Sequence, residues 1–342
     1  MLKNSTHPIL KIKPLGFQWE TSDPFLFCVH HFDNYPKGNE KMGPADSLEG
    51  RNIGQDFELK DGWRMYHGKD VPGFPGHPHR GFETITIVCN GLVDHADSTG
   101  ASGRYGNGDV QWMTSGKGVQ HSEMFPLINK EDRNPLELFQ IWLNLPMKNK
   151  MVAPYFKMMW DTTIPSVTFL DDKGKKTIVD IIAGTLNETS APAPPPDSWA
   201  SDAENSVGIF KLKIESKGNF VLPAIKSQAT RTIYFYHGNE LIIEGKTINE
   251  YHAVELRPES DVNLHNNGQN EIKLLILQGE PIKEPVVQHG PFVMNSIEEI
   301  QQTFEDFRKT QFGGWPWPKP EQVHDREIGR FAKHADGTEE IQ

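Results

Sequence analysis

The sequence predicts an all-β protein whose strand pattern is written twice. Short runs rich in β-branched and aromatic residues are separated by Gly, Asn and Asp turns, helical periodicity is scarce before Gly279, and the spacing of runs in the first half returns in the second. The first half places strands at 25–31, 84–89, 92–95, 109–113 and 136–144, and the second at 209–214, 231–236, 240–243, 252–256 and 272–277. Between strands of the second half, Pro192-Ala193-Pro194-Pro195-Pro196 reads as an exposed excursion, because proline-rich chain favours the extended polyproline conformation.

Beyond Gly279 the pattern changes. Asn295 and Ser296 are placed to cap a helix, Glu298 and Glu299 fill capping-box positions, and Ile297, Ile300, Phe304 and Phe307 share one helical face that predicts packing on a sheet. Phe312-Gly313-Gly314-Trp315-Pro316-Trp317-Pro318 then ends regular structure. Its prolines lack backbone donors and its aromatics need burial, so the segment is expected to lie as a latch over the body.

The chemistry concentrates in two short stretches. Alternate side chains leave the same face of a strand, so His77 and His79 point together, as do His121 and Glu123. Two such pairs facing each other form a cup of three imidazoles and one carboxylate, a donor set that suits a divalent first-row metal and leaves coordination positions open. With fourteen histidines in the chain, one His-x-His pair could arise by chance; the second pair, preceded by the turn-forming Gly116 and Gly118, makes the metal reading the stronger one.

Composition narrows the remaining classes. The chain of 342 residues, 36% hydrophobic and 24% charged, has room for two globular domains, and no apolar run is long enough to span a bilayer. The opening residues 1–7 lack a secretory leader pattern, which makes a cytoplasmic location the expectation. Cys28 and Cys89 form no Cys-x-x-Cys motif, and Cys89 reads as a small buried side chain. A formal charge of −11 argues against direct nucleic-acid binding and suits a protein partner better.

The blocks His-Pro-His-Arg-Gly-Phe-Glu-Thr at 77–84, Gly-Asp-Val-Gln-Trp-Met-Thr at 108–114, Gly-Lys-Gly-Val-Gln-His-Ser-Glu-Met at 116–124 and Gln-Ile-Trp-Leu-Asn-Leu-Pro at 140–146 resemble, in order, the blocks of the pirin family. The resemblance is strong over 20–150 and continues more weakly through the second half. It implies two tandem cupin barrels (double-stranded β-helix, jelly-roll-like) with a short C-terminal helix and tail. The expected division is a metal-binding domain at 1–148, a second cupin domain at 149–285 and the helix with its extended tail at 286–342. Laying Ile87–Gly91 on Tyr234–Gly238 sets Ala224 and Lys226 opposite His77 and His79, and His265 and Asn267 opposite His121 and Glu123, so the second barrel is expected to lack a complete metal site.

The family pattern implies metal ligands at His77, His79, His121 and Glu123. Many other cupins take the carboxylate from the first motif, where Glu83 stands here; Glu83 is then either a rival ligand, an acceptor for a ligand imidazole or the partner of Arg80. Iron(II) is the metal the resemblance implies first, with manganese, nickel, cobalt, copper and zinc also suited to these ligands. The implied activity is cleavage of a flavonol such as quercetin by dioxygen, with a small planar phenolic or enolic substrate and Glu123 as catalytic base. The rival reading is a non-catalytic, iron-dependent redox sensor that binds a protein partner. His95 reads as a satisfied strand histidine or a hydrogen-bonding neighbour of the metal, and Phe82, Trp112 and Met124 as core or as pocket lining. The excursion at 192–196 and the region 320–342 extend beyond a minimal pirin, so the tail is expected to bear on access to the site.

Overall fold

The structure, a computed structural model, describes residues 7–226 and 228–342. Residues 1–6, where the first expected domain begins, lie outside them. The chain divides into two compact units, one of the segment through Cys28 with Thr162–Lys283, the other of Val29–Asp161 with Glu284–Gln342. The division falls later than 148, and the N-terminal segment and the tail each join the half distant from them in sequence.

In the first unit a seven-stranded antiparallel sheet runs in the order Ile9–Pro14, His252–Leu256, Thr230–His237, Ile272–Gly279, Gly208–Ile214, Lys176–Ala183, Ser166–Leu170, accompanied by a four-stranded sheet that includes Val262–Asn266 and Leu241–Ile243. The inward positions alternate along each strand, so Leu212, Ile214, Ile233, Phe235, Leu264, Leu274 and Ile276 close into one apolar cluster. His265, the counterpart of His121, turns Nδ1 to the carbonyl of Gly218 at 3.2 Å.

The second unit is a cupin barrel of two sheets. One runs Tyr155–Met159, Val110–Thr114, Phe82–Asn90, Asn134–Asn144, Phe25–Tyr35; the other runs Glu339–Ile341, Phe331–Lys333, Ser102–Gly106, Leu92–Asp97, Val119–Met124, Gly73–His79. The two outermost strands of the second sheet come from the tail, which caps the exposed edge of Ser102–Gly106 and so removes a row of unpaired backbone groups. The latch is fastened by polar contacts. Trp317 Nε1 donates to Asp97 O at 2.8 Å, Gly76 N–H donates to Pro320 O at 3.0 Å, and the buried Arg104 guanidinium holds Asp94 while donating to the carbonyls of His324, Asp325 and Ile328.

The helix forms over Ile297–Thr310 with Ser296 as N-cap and a complete capping box to Glu299. It packs through Ile300, Phe304 and Phe307 on the hairpin Val287–His289/Phe292–Met294. Ile297 belongs to the expected face but lies 62% exposed, outside the cluster that the helix forms with the hairpin. Among the described residues no helix is long and apolar enough to cross a membrane.

Candidate metal centre

Strand Gly73–His79 pairs antiparallel with Val119–Met124, setting His77 directly opposite His121. The turn before the second strand is tight: Gly116 and Gly118 have φ of +47° and +129°, and Gly118 N–H donates to Ser115 O at 2.9 Å. A side chain is rarely tolerated at such angles, which is why glycines stand there. His77, His79 and His121 present nitrogens that all lie within 4.8 Å of one another.

The hydrogen bonds behind the imidazoles decide which nitrogens face inward. His77 Nδ1 donates to Pro75 O at 2.9 Å and His79 Nδ1 to Pro291 O at 3.4 Å, leaving each Nε2 with its lone pair. Those two Nε2 atoms stand 3.1 Å apart, and both nitrogens of the fully buried His121 have no hydrogen-bond partner. Lone pairs converging in a buried space are unfavourable without a cation between them. With metal–nitrogen bonds of about 2.1 Å, adjacent donors on one ion stand about 3 Å apart, so the pair fits two neighbouring positions of one metal. Burial holds His77 down to about 4 and keeps His79 and His121 well below the usual imidazole range, so all three are neutral donors near pH 7.

Glu123 shares the inward face with His121, and its Oε2 lies 3.8 Å from His121 Nε2. Gln140 Nε2 donates to Oε2 at 2.9 Å, Thr86 Oγ1 lies 2.7 Å from Oε1, and the Tyr105 hydroxyl also bonds the carboxyl. Thr86 Oγ1 is also 2.5 Å from Gln140 Oε1. One hydroxyl proton cannot serve both acceptors at once, so Thr86 bridges the Glu123 carboxyl and the Gln140 amide by one donated bond and one close contact. Burial raises the Glu123 carboxyl above its ordinary range, against the lowering effect of Thr86, His95, Gln140 and Tyr105.

Glu83 faces elsewhere. Counting by twos from His79 would put it on the ligand face, but Arg80 and Gly81 form a turn between the strands, with Gly81 at φ +86°, and the count does not carry across it. Phe82 packs on His79 at 5.0 Å, while Glu83 accepts a 2.6 Å hydrogen bond from Thr114 on the opposite face. Arg80 reaches Asp306 and Thr303 of the C-terminal helix rather than Glu83. His95 is fully buried with its ring 5.5 Å from His121; it accepts from Gln111 Nε2 and donates from Nε2 to Asp97. Trp112 and Met124 are fully buried on strand faces opposite Gln111 and Glu123, as core.

The chain matches the Pirin family model over residues 16–143 and the Pirin C-terminal cupin domain model over 209–313. Pirin-1 of Arabidopsis thaliana is 36% identical over 70% of this chain and 78% of its own length. The chain belongs to the pirin family. A Pseudomonas aeruginosa relative provisionally named a quercetin 2,3-dioxygenase is 35% identical over 70% of this pirin and 79% of its own length. The crystal structure of quercetin 2,3-dioxygenase from Acinetobacter baumannii superimposes on this pirin with a TM-score of 0.70 at 24% identity, over 91% of this chain and 99% of that one, a likeness of fold. Within this pirin, sequence reasoning missed Thr86, Gln140 and Trp142 as neighbours of the ligands. Their signal was the alternation along strands Phe82–Asn90 and Asn134–Asn144, whose register pairs Gln140 with Thr86 and Trp142 with Thr84.

Proposed function

We propose that this pirin is a metal-dependent dioxygenase that opens the central ring of a flavonol of the quercetin type, taking up dioxygen and releasing carbon monoxide. The observation that carries the reading is the convergence of three neutral imidazoles on one buried space beside a buried carboxylate. His77, His79 and His121 are assigned as metal ligands and Glu123 as the fourth. A divalent iron held there would supply Lewis acidity and a redox-active partner for dioxygen.

The protein's own residues account for substrate handling. Glu123 is assigned the proton of the substrate's enolic or phenolic hydroxyl, turning it into the electron-rich anion that reacts with dioxygen. Thr86 and Gln140 hold the carboxyl in place for that transfer. Trp142, at 5.5 Å from the His79 ring and tilted by 35° against Phe82 at 4.3 Å, offers an apolar wall to a planar ligand. The names of the Pseudomonas relatives support the same substrate class. Cys28 and Cys89 are not joined in a disulfide, which suits the reducing cytoplasm.

The test is anaerobic loading of the purified protein with Fe(II), followed by oxygen and quercetin, with carbon monoxide and flavonol loss measured against a His79→Ala control. Metal-dependent turnover absent from the control is the expected result. Tight metal binding without turnover rejects the dioxygenase and favours the iron-dependent sensor that binds a protein partner.

A further inference from the structure

Thr84 carries a hydroxyl with no use in the folded chain. It is fully buried, and its Oγ1 has no hydrogen-bond partner. Leaving a buried hydroxyl unsatisfied is unfavourable, and valine, of the same shape, would fill the position without that penalty. The cross-strand neighbours explain why no protein acceptor is present, since Thr84 lies between Met113 on one side and Trp142 on the other.

The register shows where the hydroxyl sits. Phe82, Thr84 and Thr86 leave the same face of one strand at intervals of about 7 Å. Phe82 packs on the His79 ring at 5.0 Å, and Thr86 lies 2.7 Å from the Glu123 carboxyl. Trp142, directly across from Thr84, has its ring 5.5 Å from His79. Thr84 is therefore a polar position midway between a histidine of the cup and the carboxylate, flanked by the apolar Phe82, Trp142 and Met113.

We propose that the Thr84 hydroxyl is a substrate-anchoring group that donates a hydrogen bond to an oxygen of a phenolic or enolic ligand held at the metal cup. The inference rests on the metal-site reading above and adds to it a specificity element: a ligand must present an acceptor oxygen on the Trp142 side as well as one at the metal. A hydroxyl group also accepts, so the site serves neutral and deprotonated forms of such a ligand.

The test uses the full chain loaded with Fe(II) without oxygen, with 4-nitrocatechol as a coloured phenolic probe. Thr84→Val should weaken probe binding about ten-fold, the effect of losing one hydrogen bond to a charged oxygen. Metal affinity should stay unchanged, and the urea midpoint of the ligand-free protein should stay the same or rise. Thr84→Ser, which keeps the hydroxyl, should restore most of the affinity. Probe binding by Thr84→Val at the wild-type level overturns the inference and leaves the metal-site reading intact. A fall in urea midpoint accompanying the loss of affinity also overturns it, because the hydroxyl would then serve the fold. A wild-type protein that takes up Fe(II) but no probe rejects the phenolic-ligand reading, and this inference falls with it; the two failures are told apart by whether the wild type binds.

Discussion

His77 Nε2 and His79 Nε2 face each other at 3.1 Å with their Nδ1 protons committed to the carbonyls of Pro75 and Pro291. The pair is therefore two acceptors without a donor, beside a third imidazole, His121, whose nitrogens are both unpartnered. The folded protein holds this repulsion ready for a cation, and the unfolded chain does not. A divalent metal at a hundred times its Kd should accordingly raise unfolding free energy by about 2.7 kcal/mol. Calorimetry with and without Mn(II) or Fe(II) checks it, and His121→Ala should remove the increment.

Thr86 links the carboxyl to the barrel wall through its contacts with Glu123 and Gln140. Groups that orient a ligand commonly govern metal affinity by about 10–100-fold. Thr86→Val should therefore weaken Co(II) binding by about ten-fold while the fold persists. Titration followed by the cobalt absorption bands reads the change; equal affinity in both proteins would separate Glu123 from the metal.

Much of this was legible in the residues because alternation is a local property. Strand Asn134–Asn144 was expected at 136–144, and His252–Leu256 at the same residues as observed. The meeting of His77, His79 and His121 followed from two dyads on two strands. What a local pattern cannot carry is the count across a turn, and Gly81 is where it broke: the positive φ there sends Phe82, not Glu83, to the ligand face. Nor did periodicity reveal that Pro291, far along the chain, would accept from His79, because a backbone carbonyl leaves no mark in the sequence. Strands Ser102–Gly106 and Phe331–Lys333 were not foreseen, being short, rich in Gly or charge, and stabilised by each other across the intervening chain.

Gly81 itself gives a sharp test. A Cβ there would stand 1.9 Å from Val293 O, in a backbone conformation with φ +86°. Neither the strand Phe292–Met294 nor the turn can yield without moving His79. Gly81→Ala is expected to cost about 2–4 kcal/mol, the combined effect of strain and overpacking, and to weaken metal binding with it. Urea unfolding and metal titration on the same protein measure both.

Arg80, the residue after His79, is buried and donates to Asp306 Oδ2 at 2.8 Å, to Thr303 Oγ1 at 3.2 Å and to Lys117 O at 2.7 Å, with its guanidinium 4.6 Å from the Phe312 ring centroid. Asp306 is partly open to water, so Asp306→Asn should cost only about 1 kcal/mol. Arg80→Met strands several acceptors at once and should cost about 2–3 kcal/mol. A double-mutant cycle in urea should return a coupling of about 0.5–1 kcal/mol between the two side chains.

Lys150 offers the pH test. Its Nζ is buried and donates to Gly81 O, Asn144 Oδ1 and Val293 O at 2.8, 2.8 and 3.2 Å, with no carboxylate among these partners. Burial pushes the ammonium down to about 8, from an ordinary value of 10.5. Between those values the unfolded chain binds the proton and the folded protein has lost it, so stability rises with pH across that window. Below pH 8 both states are protonated and the burial penalty is fully present; above 10.5 both are neutral and it has gone. Relative to Lys150→Met, in which every other titrating group is retained, the wild type should gain up to about 3 kcal/mol between pH 8 and 10.5. Urea unfolding of the two proteins at half-unit pH steps measures the difference, and a flat difference would mean that the ammonium keeps its proton in the fold.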